Sequence, residues 1–462
     1  MLFPKSGADR SRQRVIVLGA GEIGFNLAKR LSREDRQVVV VDHNPQKLQA
    51  VQSVLDVQAL HGSASSPAVL EEAGSREAGI VVAVTGNDEV NLLACLMANL
   101  HNPNSLKLAR VQNEEYARMS EALGPDYMNI KAIINPDIEV VNAIMRMLLL
   151  PTAADYGEFA GGRIKVFAVE VRSGPLVDKP LTGFQGVVKD RGVRVSGILR
   201  GERLILPVGD DVIRAGDVVY FVCLEESIAA VLAAAEAFFK PIRNICVVGG
   251  GDIGLRLAQR LDATNHRVKL VEKNPDRCLF LADRLAHVMV LNGDGTDRDF
   301  MRDENMGDMD MVIALTGDEE TNILACLLAK SIGAANTITR VNKNGYMPIV
   351  RAIGLKLSVN PRLAATNSIV HFLRRGLLLS TLTTHDEEVE MLEAVLTDKS
   401  RLLGKPLKDL AFPKGANLLA VMRWDEVFIP RGDTALEAGD RVILICERER
   451  LPWVDAQLIG RK

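Results

Sequence analysis

A ten-residue segment, VIVLGAGEIG at 15–24, returns as ICVVGGGDIG at 245–254, 230 residues later. At that same offset Val40-Val41-Asp42 is matched by Leu270-Val271-Glu272, and Arg110-Val111 by Arg340-Val341. TGNDEVNLLAC at 85–95 is matched by TGDEETNILAC at 316–326, and Asn135-Pro136 by Asn360-Pro361. Spacing held over so long a stretch is the mark of a duplicated unit, and it fixes the architecture before any single element is read. A second part is repeated as well. Leu206-Pro-Val-Gly-Asp210 followed by Ala215-Gly216-Asp217 resembles Ile429-Pro-Arg-Gly-Asp433 followed by Ala438-Gly439-Asp440. The chain therefore reads as large domain, small domain, large domain, small domain, over 13–135, 152–236, 242–360 and 377–457. The borders are expected near Pro151–Gly162, Lys240–Arg243 and Gly376–Asp386. At 462 residues the chain is too long for one hydrophobic core, which agrees.

Within each large domain the pattern is strand, glycine loop, helix. The β-branched run Val15–Leu18 reads as a buried parallel strand. Gly19, Gly21 and Gly24 follow it, and a helical pattern through Leu27, Ala28 and Leu31 comes next. In a dinucleotide fingerprint the first glycine makes the turn and the second lets a pyrophosphate approach the backbone. The third lets helix and strand pack closely. The second strand, Gln37–Val41, leads to Asp42, whose carboxylate suits a ribose diol and opposes a 2′-phosphate. Gly249, Gly251, Gly254 and Glu272 repeat the arrangement. The bland reading is that one copy keeps its glycines for packing alone.

Further strands are expected at Val54–Gln58, Ile80–Val84 and Lys107–Val111, and at Val288–Leu291, Met311–Leu315 and Thr337–Val341. An open parallel sheet binds ligand at the carboxyl ends of its strands. That edge receives His61, Gly62 and Ser63 in the first copy, and Gly293 and Asp294 in the second. Thr85 and Thr316 either contact ligand or cap the following helices, which carry Asn91 and Asn322. Arg110 and Arg340 either reach phosphate or pair with a neighbouring acid. Asn135-Pro136 and Asn360-Pro361 open amphipathic helices that lead into small domains rich in strands and tight turns.

Fifty-six basic against 59 acidic residues leave a formal charge of -3, so bulk charge does not point to nucleic acid. The six cysteines form no CxxC and most sit in apolar runs, so they read as buried free thiols rather than disulfides or a zinc site. Met1–Arg14 lacks the apolar core of a signal peptide, and Val219–Phe239, the longest apolar stretch, reads as alanine-rich helical material interrupted by glutamates. No histidine–acid pair recurs in both halves, and no nucleophile elbow or Walker lysine is present. With no substrate domain beside the nucleotide domains, an NAD-dependent oxidoreductase is disfavoured and no catalytic residue is assigned.

Glycine loop, terminal acid, Thr…Asn stretch, strand-end arginine and the Pro-x-Gly plus Ala-Gly-Asp turns together resemble the RCK/KTN family of regulators, to which the cytoplasmic subunits of bacterial Trk potassium uptake systems belong. That resemblance implies an α/β fold, a tandem duplication of a Rossmann-like RCK N-terminal domain followed by a small α+β RCK C-terminal domain. It implies NAD(H) or ATP/ADP bound by Gly19, Gly21, Gly24, Asp42, Gly62, Thr85 and Arg110, and by Gly249, Gly251, Gly254, Glu272, Asp294, Thr316 and Arg340. It also implies a membrane-embedded potassium-translocating partner, a ring of four units from a dimer, and a cytoplasmic, peripheral location. A nucleotide-sensing scaffold for another partner is the alternative.

Overall fold

The computed structural model describes residues 14–33, 36–118, 129–149, 156–184, 188, 192–201, 203–236, 242–355, 357–374, 378–384, 389–410, 412–424 and 426–459. The expected borders at 151–155, 240–241, 376–377 and 385–386 lie outside these residues, as does the N-terminal stretch 1–13.

Two compact units form, and each collects like segments from both halves of the sequence. One comprises 1–145 with 241–373, and the other 146–240 with 374–462. In the first unit, strands β1 (Val15–Leu18), β2 (Val38–Asp42), β3 (Gln58–His61), β4 (Ile80–Ala83), β5 (Leu106–Arg110) and β6 (Ile130–Ile134) form a sheet in the order β3-β2-β1-β4-β5-β6. Every pairing is parallel. The chain reverses direction across the sheet between β1 and β4, the switch point where such folds hold ligands. The first strand is buried along its whole length because helices cover both faces.

The second half repeats this with β12 (Asn244–Val248), β13 (Arg267–Glu272), β14 (Met289–Asn292), β15 (Met311–Ala314), β16 (Asn336–Arg340) and β17 (Leu357–Val359), in the order β14-β13-β12-β15-β16-β17. The sixth strands are additions to the sequence reading. Most other strands fall within one residue of expectation. The exception is β3: Val54–Gln58 is not a strand. Ser53 and Leu55 donate back to Gln49 and Val51, finishing the preceding helix, and Val54 is exposed. Pairing with β2 begins only at Gln58.

Two helices start at the Asn-Pro pairs, Pro136–Leu149 and Pro361–Arg374. Proline suits the first helical turn because its missing N–H would have had no partner there. Asn135 and Asn360 accept the N–H groups of Asp137 and Arg362, each at 2.9 Å, and so close the helix start. The second of these helices packs on the opposite half. Ala365, Ile369, Val370 and Leu373 join a core made by Val15, Val17, Leu27 and Leu31 of the first. Arg30 donates to Asn367 at 2.8 Å, and its repeat counterpart Arg260 donates to Asn142 at 3.2 Å. The halves are thus tied reciprocally.

The second unit holds two antiparallel five-stranded sheets. Strands β7 (Tyr156–Phe159), β8 (Ile164–Val171), β9 (Val193–Arg200), β10 (Arg203–Ile205) and β11 (Asp217–Leu224) run in the order β10-β9-β11-β8-β7. Strands β18 (Leu378–Thr384), β19 (Val389–Val395), β20 (Ala416–Arg423), β21 (Glu426–Phe428) and β22 (Arg441–Glu447) run β18-β19-β22-β20-β21. Ile164, Val166 and Val222 share a core with Met391, Leu419 and Ile443, so the small domains bury one face against each other. Of the stretch 219–239, the part through Leu224 is strand, not helix, since its β-branched and aromatic residues pair on both sides with β8 and β9. Glu225–Ser227 forms a 3-10 turn that leads into the α-helix Ile228–Ala234, and 237–239 lie outside the described residues.

Among the described residues no helix is long and apolar enough to cross a membrane. All six cysteines are buried and none forms a disulfide, and burial pushes the thiols of Cys95, Cys246 and Cys326 up to about 12. No cluster among the described residues could hold a metal ion.

Candidate nucleotide sites

Each glycine loop is built by distinct steric demands on its three glycines. Gly19 and Gly249 have φ of +109° and +105°, the left-handed region open to glycine. A Cβ on Gly24 would stand 1.8 Å from the Gly19 carbonyl oxygen, and one on Gly254 1.9 Å from that of Gly249. These third glycines are required for helix-on-loop packing with or without a ligand. The middle pair differs. A Cβ on Gly21 or Gly251 would meet no protein atom within 4 Å. Packing gives no reason for glycine at either place, whereas a ligand lying on the backbone does.

Behind the loops stand the acids. Asp42 is buried, and its two carboxylate oxygens accept the Ala20 N–H at 2.6 Å and the Asn44 N–H at 2.8 Å. Glu272 accepts the Gly250 and Asn274 N–H groups, both at 2.8 Å. Each acid therefore ties its own strand end to its loop, and a carboxylate retains lone pairs for ribose hydroxyls. Gly62 and Gly293 lie one strand away, donating to the carbonyls of Asp42 and Glu272 at 3.0 Å. Asp294 differs from its counterpart Ser63. It pairs with Lys273 at 2.8 Å and accepts from Thr296, contacts that draw its carboxyl down to about 2.

Across the switch point, Thr85 closes on the first loop. A Cβ on Gly19 would meet the Thr85 nitrogen at 2.9 Å. The helix cap, however, is Asn87, whose side chain accepts the Val90 N–H at 2.8 Å; Asp318 plays that part in the second half. The capping alternative for Thr85 and Thr316 is thus corrected. Their hydroxyls donate to Asn91 and Asn322, both at 2.7 Å.

Asn91, fully buried, returns its amide to the carbonyls of Thr85 and Arg110, so one side chain fastens the ends of β4 and β5 together. Asn322 does the same for Thr316 and Arg340. The sequence signal for this role was the identical Thr–Asn spacing in both copies.

Arg110 donates to the Thr85 carbonyl at 2.8 Å and to Gln112, and Arg340 donates to the Thr316 carbonyl and Asn342. Among the described residues neither touches a carboxylate, so the salt-bridge alternative fails there: main-chain and amide oxygens hold these arginines at the strand ends. Burial holds both guanidinium groups below their usual range. The Arg110 Nε is buried without a hydrogen-bond partner, which costs stability unless an acceptor arrives.

Two contributors came from outside the motifs. Arg362, from the second half, forms an ion pair with Glu22 in the first turn of the first loop helix, Glu22–Ser32. Asp137, its counterpart from the first half, lies in the field of Arg340, Arg256 and Asp252 of the second site, and its carboxyl is raised chiefly by burial.

Duplicated switch-point sheets, open middle glycines and carboxylates at the second strand ends define a class: a tandem Rossmann protein paired with small antiparallel domains. The TrkA-N domain matches residues 15–136 and 245–361, and the TrkA-C domain residues 166–235 and 391–456. The chain belongs to the TrkA family. It is 34% identical over 447 residues to "Trk system potassium uptake protein TrkA" of Halomonas elongata, covering 96% of this chain and 98% of that one. The protein of the same name from Azorhizobium caulinodans is 35% identical over the same coverage. Among solved structures, "Crystal Structure of the GsuK RCK domain" matches with a TM-score of 0.59 and 18% identity over 99% of this chain and 96% of that one. "GsuK channel bound to NAD" gives 0.59 and 18% over 99% and 80%. At such identity these two speak for the fold.

Proposed function

We propose that this chain is the nucleotide-sensing regulatory subunit of a Trk-type potassium uptake system. In this reading it binds NAD(H), ATP or ADP and gates a membrane-embedded potassium-translocating subunit from the cytoplasmic face, self-associating as a dimer that presents four nucleotide domains. The domains are those bounded at 13–135, 152–236, 242–360 and 377–457. The relatives' shared name supports the potassium system. The observation that carries the nucleotide reading is the open space at Gly21 and Gly251, beside carboxylates already aimed at the loops.

The first site would be formed by Gly19, Gly21, Gly24, Asp42, Gly62, Thr85 and Arg110, and the second by Gly249, Gly251, Gly254, Glu272, Asp294, Thr316 and Arg340. Loop N–H groups and the helix start would hold the pyrophosphate, the acids a ribose diol, and the arginines further phosphate charge. No reaction is placed in the chain. A nucleotide shifts the gate only as far as it prefers one conformation over the other, so the output is a coupling free energy rather than turnover.

Calorimetric titration with NAD, NADH, ATP and ADP tests the reading. Asp42→Asn and Glu272→Gln should each weaken NAD at its own site by about tenfold, the worth of one hydrogen bond to a charged group. Unchanged affinity in both single variants and the double variant would sink the assignment.

A further inference from the structure

The residue between the first two glycines of each loop differs between the copies, and two side chains packed behind it differ with it. The first copy has Ala20, Asp42 and Val51; at the 230-residue offset the second has Gly250, Glu272 and Leu281. The loop residue loses a methyl group, while the acid and the core residue each gain a carbon. Gly250 does not adopt a positive φ, so its backbone conformation does not call for glycine. Its surroundings do. A Cβ there would stand 2.4 Å from Cδ1 of Leu281, 3.1 Å from Oε2 of Glu272 and 3.3 Å from the Glu272 Cβ. Leu281 is fully buried, so its end cannot move aside without disturbing a packed core.

In the first copy the Ala20 methyl is buried in a core with Leu48 and Val51, and the shorter Asp42 still reaches two main-chain donors, Ala20 and Asn44. Glu272 reaches the equivalent pair, Gly250 and Asn274. Two acids of different length therefore end on the same two donors. The extra methylene of Glu272 fits because the loop residue beside it has no side chain. The Gly250 peptide is also held from its other end, where Arg277 Nε donates to its carbonyl at 2.8 Å. A carboxylate fixed in this way presents its remaining lone pairs in one direction. That direction decides whether it can accept both hydroxyls of a ribose diol.

We propose that Ala20 and Gly250 are positioning residues of the two nucleotide sites, each matched to its own acid and aiming that carboxylate at a ribose diol. The proposal rests on the nucleotide reading above. The longer acid serves only opposite glycine, whereas the shorter one tolerates alanine. Each site thereby selects ribonucleotides over 2′-deoxyribonucleotides, and the residues that do so are interchangeable between the copies only as sets.

The sites can be separated in the full-length protein, because a side chain on either middle glycine meets no protein atom and fills only the ligand's space. In a Gly21→Val background, calorimetric titration with ADP and with 2′-deoxy-ADP reads the second site. Gly250→Ala should lower the ADP-over-2′-deoxy-ADP affinity ratio about tenfold, the order expected for one hydrogen bond to a charged group. Adding Glu272→Asp and Leu281→Val, which rebuilds the first copy's set, should restore the ratio. Glu272→Asp alone should keep it. In a Gly251→Val background, Asp42→Glu should lower the same ratio at the first site, and Ala20→Gly should recover it. This second arm stands even if Gly250→Ala does not fold. A ratio unchanged by Gly250→Ala or by Asp42→Glu, an equal loss for both nucleotides, or a loss that the compensating substitutions leave in place overturns the positioning role while nucleotide binding stands. Absence of binding in the wild type and in both backgrounds, with native circular dichroism, removes both.

Discussion

At the residue scale, identical letters in the repeat serve unlike purposes, and added atoms separate them. Gly24 and Gly254 are fixed by a carbonyl that a Cβ would strike, whereas Gly21 and Gly251 face empty space. The most anomalous single residue is Lys107, fully buried in β5 and held by Asn99 at 2.8 Å and the Pro103 carbonyl at 3.0 Å. Its counterpart is Thr337. Burial pushes the Lys107 ammonium down to about 8. A lysine whose folded value lies below its unfolded one destabilises the fold while it is charged. That cost is fully present below about 8 and is relieved as pH rises toward the ordinary 10.5. Urea unfolding should show the wild type gaining stability relative to Lys107→Thr between pH ~8 and ~10. A flat difference across that window would contradict this account.

At the element scale, the helix Pro361–Arg374 belongs to one half by sequence and to the other by packing. Ile369 is fully buried in the first-half core, beside the strand and helix that flank the first glycine loop. Ile369→Ala should cost about 2–5 kcal/mol by cavity formation. The expected signature is local: hydrogen exchange should quicken in β1 and in the loop helix Glu22–Ser32, more than 300 residues away in sequence. If instead protection falls only within the mutated helix, the shared core is not what secures it. The 3.6-residue apolar pattern after Asn360-Pro361 announced a helix with a buried face. It could not say which half would cover that face, because either half offers the same kind of apolar partner.

At the scale of the whole molecule, duplication within one chain lets the copies diverge while remaining in contact. Asp137 lies in the field of Arg340, Arg256 and Arg110, drawn from both halves; in the proposed function, nucleotide charge held by one half therefore acts on the other. Such linkage must be reciprocal. Saturating the first site with ATP should shift the dissociation constant of NAD at the second by about fivefold or more, with an equal shift in the converse titration. Asp137→Asn should shrink the shift, since that carboxyl lies in the field of arginines from both halves. Independent isotherms in the wild type would show that the halves sense their ligands separately. The small-domain unit adds a different kind of coupling, since the two sheets bury one face in a common core and neither copy's sheet is complete without its partner's apolar surface.

The sequence by itself determined the repeat, the strand–loop–helix units, the terminal acids and the turns, because each depends on local sterics and short-range periodicity. Glycine where φ must be positive, proline where no N–H is needed and β-branched runs where a strand is buried on both sides all act within a few residues. Tertiary structure decided the rest. It made Asn91 and Asn322 strand-end fasteners, not merely helix residues, and it replaced the salt bridges open to Arg110 and Arg340 with carbonyl contacts. It also paired Arg362 with Glu22 of the opposite half. Those outcomes depend on which surfaces meet in space, and two homologous halves with equivalent apolar faces leave that choice open until the chain has packed.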